Sequence, residues 1–398
     1  MTARTAPELF SFLAKQIETF LKTHHNDHFQ AHQQRRKDGL RSEEVFQLGF
    51  TFSFPVQQNG INKGTLIRWT KGFDIDDAIG KDVCQLLQSE IDVLNLPVKV
   101  AALVNDTVGT LMARSYTSPG KTGTFLGGIF GTGTNGAYVE KLDRIKKLHT
   151  AKGASTDYDK STGNMIINTE WGSFDNGLTV LPTTPYDHAL DALTPNPGIQ
   201  MFEKRVSGMF LGEILRQAIL ALLNQPNCQL FKDETSGSND MHSTTTIADD
   251  SPLYKQWGID TSFLSVAHED QSQGYRITRQ ALSRDLGIDA ASSEDAEAVK
   301  TLVAAIGKRS ARLSAVAIAA VILATGRLNE EDIVDIGVDG SLVEYYPGFE
   351  DYIREALREV QGIGEAGERR VRIGIAKDGS GVGAALIALV AGRAAKAE

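Results

Sequence analysis

Residues 98–104 run Val-Lys-Val-Ala-Ala-Leu-Val, and the chain then turns abruptly polar at Asn105-Asp106-Thr107. A β-branched, nearly continuous apolar run predicts a strand covered on both faces, as in an α/β sheet. Ligands of open α/β sheets bind at the carboxyl ends of strands, which makes the three polar residues site candidates. Asp106, a lone carboxylate beside an amide and a hydroxyl, is a candidate general base. The plainer reading is an Asn-Asp-Thr turn that caps the following helix.

Other periods fill in the chain around this strand. Thr5-Ala-Pro-Glu8 has the spacing of a capping box, and Leu9, Leu13, Ile17, Phe20 and Leu21 continue as a helical stripe. His24, His28 and His32 fall four apart, which predicts one helix face; it suits a solvated surface better than a metal. Residues 48–56 alternate aromatic and small polar residues, a strand stopped by Pro55, and 65–69 form a further short strand after an Asn62-Lys-Gly64 turn. Helices are predicted over 80–94, over 196–222 with Phe202, Val206, Phe210, Ile214, Leu215, Ile219 and Leu222 on one face, and over 294–325. Glu203 then lies in a first turn, where a carboxylate favours the helix dipole. Residues 224–252, rich in Asn, Asp, Ser and Thr, read as a surface excursion. Asp335–Asp339 and Val371–Lys377 are strands, each followed by a Gly/Ser turn.

Gly131-Thr-Gly-Thr-Asn-Gly136 is literally G-x-G-x-x-G, the dinucleotide fingerprint. That fingerprint requires a helix after the loop. Here Ala137-Tyr-Val-Glu140 continues as a strand, so the sequence predicts a hairpin and argues against a nicotinamide dehydrogenase. A Gly/Thr hairpin with free backbone N–H groups still suits a phosphate, the alternative being an ordinary tight turn.

Composition narrows the function. With 398 residues the expectation is two or three domains. The net charge of −9 offers no basic footprint for nucleic acid. Two cysteines, Cys84 and Cys228, suggest a reducing compartment without disulfides. No signal peptide and no membrane-spanning apolar run is recognised, so a cytoplasmic protein with no membrane partner is expected.

Taken together, the motifs resemble a family. Leu48-Gly-Phe-Thr-Phe-Ser-Phe-Pro55, Trp69-Thr-Lys-Gly-Phe73, Leu103-Val-Asn-Asp-Thr-Val-Gly-Thr110, Phe130-Gly-Thr-Gly-Thr-Asn135, Asn168-Thr-Glu-Trp-Gly-Ser-Phe-Asp175, the Phe202–Glu213 stretch and Asp378-Gly-Ser-Gly381 occur in the order seen in eukaryotic hexokinases. The chain resembles that family from near residue 5 to near residue 393. Arg309-Ser-Ala311, Glu344-Tyr-Tyr-Pro-Gly-Phe349 and Ile375–Gly383 look most like its fungal glucokinase branch.

The resemblance implies an α/β, two-lobed actin-like ATPase (ribonuclease H-like) fold that binds glucose and MgATP and feeds glycolysis. It assigns 1–104 with 378–398 to a small lobe and 105–377 to a large one. Asp106 matches the catalytic base and Lys71 a catalytic cation. Ser53, Thr70, Lys71, Asn105, Asp106, Asn135, Glu170 and Glu203 match the sugar shell. Thr132 and Gly133 match phosphate-binding positions, and Gly340 and Ser341 the adenosine side. The cofactors implied are ATP and Mg2+, with no dedicated protein metal site; related hexoses are further substrates, and a homodimer is an admissible assembly. The family opens with Asp-Leu-Gly-Gly-Thr-Asn followed by Arg, a first phosphate loop that this sequence does not contain, so the small lobe is expected to be incomplete. A non-catalytic glucose-binding regulator is the competing expectation.

Overall fold

The structure, a computed structural model, describes residues 3–40, 45–70, 73–120, 123–150, 160–232 and 245–397. The chain forms two compact units, Met1–Ser118 with Asp378–Glu398, and Pro119–Lys377.

In the first unit, β1 (Phe46–Thr51) pairs in parallel with β4 (Val98–Val104), while β2 (Val56–Gly60) and β3 (Lys63–Leu66) form an antiparallel hairpin. The apolar run at residues 98–104 is β4, residue for residue. Its apolarity has a structural cause. Val98, Val100 and Leu103 join a core with Phe10, Leu87 and Ile91, whereas Ala101, Ala102 and Val104 join a separate cluster with Ala384 and Ala388. Each large side chain so buried contributes about 1.5–3 kcal/mol. The second cluster lies under the C-terminal helix, Gly379–Ala397. That helix approaches so closely that a Cβ on Gly49 would lie 2.2 Å from the Ala384 carbonyl oxygen, and one on Gly383 would lie 1.9 Å from that of Gly109. Gly109 belongs to the helix Asp106–Thr117, so residues 105–118, which the sequence reading assigns to the large lobe, pack within the first unit.

Local details depart from expectation. The 48–56 strand ends at Thr51, and Val56 already belongs to the next strand. Thr5 accepts the Glu8 N–H at 3.3 Å as a capping box predicts, but the Glu8 carboxylate takes the Arg4 N–H instead of completing the box. The histidine face is broken: the first helix, Ala6–His24, ends at His24, and His28 and His32 lie on a second helix, Asn26–Lys37. Among the described residues no cluster of three His, Cys, Asp or Glu could hold a metal.

The second unit is built on a five-stranded sheet in the order β11-β10-β5-β6-β7. Here β5 is Thr124–Phe130, β6 Thr134–Lys141, β7 Asn164–Asn168, β10 Val334–Asp339 and β11 Val371–Ile375. β8 (Thr246–Ile247) and β9 (Ile288–Asp289) make only a two-residue ladder. β10 runs parallel to β5 and β11, while β5–β6 and β6–β7 are antiparallel, so the G-x-G-x-x-G loop is the predicted hairpin. The long helix Ser293–Thr325 starts at a Ser292/Asp295 capping box and stops at Gly326 in the left-handed region (φ +65°). The helix expected over 196–222 is split into Glu203–Val206 and Gly208–Leu223. At the break the Gly208 N–H turns to the Gly131 carbonyl, 2.7 Å away, and the Met209 N–H to that of Thr132 at 3.3 Å. Tertiary bonding to the hairpin thus replaces intrahelical bonds and overrides a continuous apolar stripe. Of the 224–252 excursion, residues 233–244 lie outside the described part.

Candidate functional site

On the first unit, Asn105 is the N-cap of the helix that follows β4; its side chain accepts the Thr107 N–H at 3.0 Å. The plain reading of this turn, a helix cap, is therefore realised. Capping fixes the first helical turn, and with it Asp106. One Asp106 carboxylate oxygen accepts the Thr107 N–H at 2.8 Å, and the Asp106 N–H donates to Ser53 Oγ at 3.3 Å. No donor among the described residues reaches the other carboxylate oxygen. Ser53 follows β1, beside an aromatic cluster of Phe52, Phe54, Trp69 and Phe73. Thr70, next to Trp69, is buried. Lys71 lies outside the described residues.

On the second unit, Asn135, Glu170 and Glu203 sit around the β5–β6 hairpin. Glu203 is buried, and both its oxygens are engaged: Oε2 accepts the Thr134 N–H at 2.9 Å, and Oε1 accepts from Gln200 Nε2 at 3.3 Å. Gln200 itself has a positive φ (+59°) and accepts from the Ser173 hydroxyl. Glu170 follows β7, also with a positive φ (+50°), a sparsely populated conformation for a side-chain-bearing residue. Asn135 Oδ1 accepts the Gly136 N–H at 2.7 Å, and Asn135 Nδ2 donates to Asn168 at 2.7 Å. Beneath them Trp171 packs on Gly136, where a Cβ would lie 2.2 Å from the indole, and donates its Nε1–H to Thr134 Oγ1 at 3.0 Å.

The remaining positions also converge. Gly340 (φ +118°) opens the turn after β10, and a Cβ there would lie 2.6 Å from the Phe130 carbonyl carbon. A Cβ on Gly131 would lie 3.1 Å from Gly340 Cα. The Thr132-Gly133 tip and the Gly340-Ser341 turn are therefore neighbours, with Thr132 and Ser341 exposed. Glycine backbone bordered by two exposed hydroxyls is a surface on which phosphate oxygens can meet N–H and O–H donors directly.

Sequence reasoning passed over Asn168, Gln200, Ser173 and Thr134. All four act by hydrogen bonds to site residues. Thr134, Asn168 and Ser173 lie inside motifs that carry the family resemblance; Gln200 carries no local signal beyond standing three residues before Glu203.

Two hexokinase family domains match the chain, one over residues 1–116 and the other over 125–390. A glucokinase of Aspergillus niger is 64% identical over 99% of this chain and 78% of its own length. Glucokinase-1 of Saccharomyces cerevisiae is 44% identical over 97% of this chain and 75% of its own. Among solved structures, the hexokinase of Schistosoma mansoni complexed with glucose superposes with a TM-score of 0.75 at 31% identity, covering 97% of this chain and 76% of that one.

Proposed function

The chain belongs to the hexokinase family and is an ATP-dependent hexose kinase of the fungal glucokinase type, and on that footing we propose that Asp106 is the base that takes the proton from the 6-hydroxyl of glucose. The observation that carries this reading is the state of Asp106: its backbone and one oxygen are pinned by Ser53 and the Thr107 N–H, and its other oxygen meets no donor among the described residues. A base must be held in orientation and still have a lone pair to offer.

Ser53, Thr70 and Asn105 on the first unit, and Asn135, Glu170 and Glu203 on the second, are each assigned a sugar-binding role in this proposal. A pyranose presents hydroxyls that both donate and accept, and amides with carboxylates answer both roles. Lys71 is assigned to the developing charge near the reacting oxygen on its position in the Trp69–Phe73 motif. MgATP, when bound, supplies the phosphoryl group and the cation that neutralises it. Thr132 and Gly133 would hold phosphate oxygens, and Gly340 with Ser341 the nucleoside side. Magnesium commonly rides on substrate phosphates with few protein ligands. Among the described residues no helix is long and apolar enough to cross a membrane. Cys84 and Cys228 are free thiols, which suits the reducing cytoplasm to which we assign the enzyme, at the first step of glycolysis.

The test is a coupled assay of sugar 6-phosphate formation from glucose and MgATP, with Asp106→Asn as control. The asparagine keeps the Thr107 contact but cannot take a proton, so kcat should fall at least ~100-fold while glucose affinity, by calorimetry, changes little. Glucose binding without turnover in the parent chain would favour a sugar-binding regulator. Turnover surviving in Asp106→Asn would reject the base assignment.

A further inference from the structure

Asn135, Asn168 and Glu170 form a short hydrogen-bond relay whose direction is fixed at both ends. The Gly136 N–H can only donate, and it faces Asn135 Oδ1 at 2.7 Å. The Asn135 amide must therefore turn its Nδ2 towards Asn168 Oδ1, 2.7 Å away. That in turn directs Asn168 Nδ2 at Glu170 Oε1, at 2.8 Å. A carboxylate can only accept, so the chain of donors closes without conflict. Neither amide can be reversed without setting two donors or two acceptors face to face.

We propose that Asn168 is a positioning residue for the sugar site: it fixes the Asn135 amide and the Glu170 carboxylate as a complementary donor and acceptor for a pair of adjacent hydroxyls. The inference rests on the sugar-shell reading given above. With Oε1 of Glu170 occupied by Asn168, Oε2, which no donor among the described residues reaches, is the acceptor left for substrate. The second Nδ2 hydrogen of Asn135 has only a long contact, 3.4 Å, to Glu170 Oε1, and is the donor left for substrate. Asn168 is exposed at the end of β7 and forms no part of the core, so its bonds serve neighbouring site residues in preference to the fold.

The experiment compares Asn168→Asp, Asn168→Ala and Glu170→Ala, singly and as the double alanine variant, by glucose calorimetry, steady-state kinetics and thermal melting. Asn168→Asp is nearly isosteric but replaces the donor to Glu170 by a second carboxylate. The expected result is a roughly tenfold rise in KM and Kd for glucose, kcat within about threefold and an unchanged melting temperature. Lowering the pH from 8 to 5.5 should recover part of that affinity, because two adjacent carboxylates then share a proton and regain a donor. Asn168→Ala should weaken glucose in the parent but add little in the Glu170→Ala background. Equal losses in both backgrounds, or an Asn168→Asp variant with parental KM, would overturn the role of Asn168. If Glu170→Ala itself bound glucose as tightly as the parent, the sugar-shell reading would fail instead.

Discussion

Glu203 Oε2 accepts the backbone N–H of Thr134 at 2.9 Å, joining the first turn of one helix to the start of β6 across 69 residues of sequence. Its Oε1 accepts from Gln200. Each oxygen faces a donor that cannot become an acceptor without reorienting. A glutamine has one oxygen and one NH2, so Glu203→Gln must set an NH2 against one of those donors inside a buried site. We expect a loss of about 1–3 kcal/mol in stability and a KM for glucose raised at least tenfold. Urea unfolding and steady-state kinetics check both; a variant with parental KM would remove Glu203 from the sugar shell.

Much of the fold was legible because burial on both faces leaves an unambiguous trace, as in β4. The hairpin at Gly131–Gly136 was legible because Ala137-Tyr-Val-Glu140 cannot be the helix that the dinucleotide fingerprint needs. The break at Ser207 was not. The apolar stripe from Phe202 to Leu222 runs through it without a fault, and only the Gly131 and Thr132 carbonyls, over seventy residues away, make it necessary. The proposed site was legible in the same uneven way. Asp106 stood out as a carboxylate ending a strand, whereas Asn135, Glu170 and Glu203 were reached through the family resemblance. Asn168 escaped because its function lies in a contact with Asn135 that no local pattern records.

Asp187 offers a pH-dependent prediction. Burial pushes its carboxyl up, but the paired bonds from Arg309, both 2.8 Å, and the Thr184 hydroxyl and N–H outweigh burial and hold it below the ordinary range. A carboxyl lower in the folded than in the unfolded state stabilises the fold above the unfolded value, near ~4, and loses that contribution as pH falls through the folded one. Arg309→Gln strands the buried charge and should cost about 3 kcal/mol at pH 7. The deficit should shrink as the medium is acidified through pH 4, since the protonated carboxyl no longer needs the cation. Denaturant titrations at both pH values test this; a deficit independent of pH would assign the loss to packing.

Cys84 reports on the first unit. Burial in the helix Val83–Val93, with the charge of Asp82 nearby, pushes its thiol up to about 12. The thiolate is the reactive form, so Cys84 should resist an aromatic disulfide reagent at pH 8 while the half-buried Cys228 reacts. One thiol should label quickly in the folded protein and two in denaturant. The slow phase then measures opening of the Cys84 helix. Two fast thiols in the native state would mean that this helix is not packed as described.

Gly340 separates backbone strain from steric exclusion. Its φ of +118° disfavours any side chain, and a Cβ would also lie 2.6 Å from both the carbon and the oxygen of the Phe130 carbonyl. Those are backbone atoms of β5 and cannot swing aside. Gly364 has a φ of +61°, in the left-handed region that side chains tolerate better, and nothing within 4 Å of a Cβ, so Gly364→Ala should show strain alone, about 1 kcal/mol. Gly340→Ala must in addition push the turn away from the Gly131–Gly133 tip. Its loss of melting temperature should exceed that of Gly364→Ala by more than twofold. Because the displaced turn and tip are the proposed nucleotide contacts, KM for ATP should rise more than KM for glucose. Equal rises in both would mean that the turn supports the fold at large, and that the nucleotide lies elsewhere.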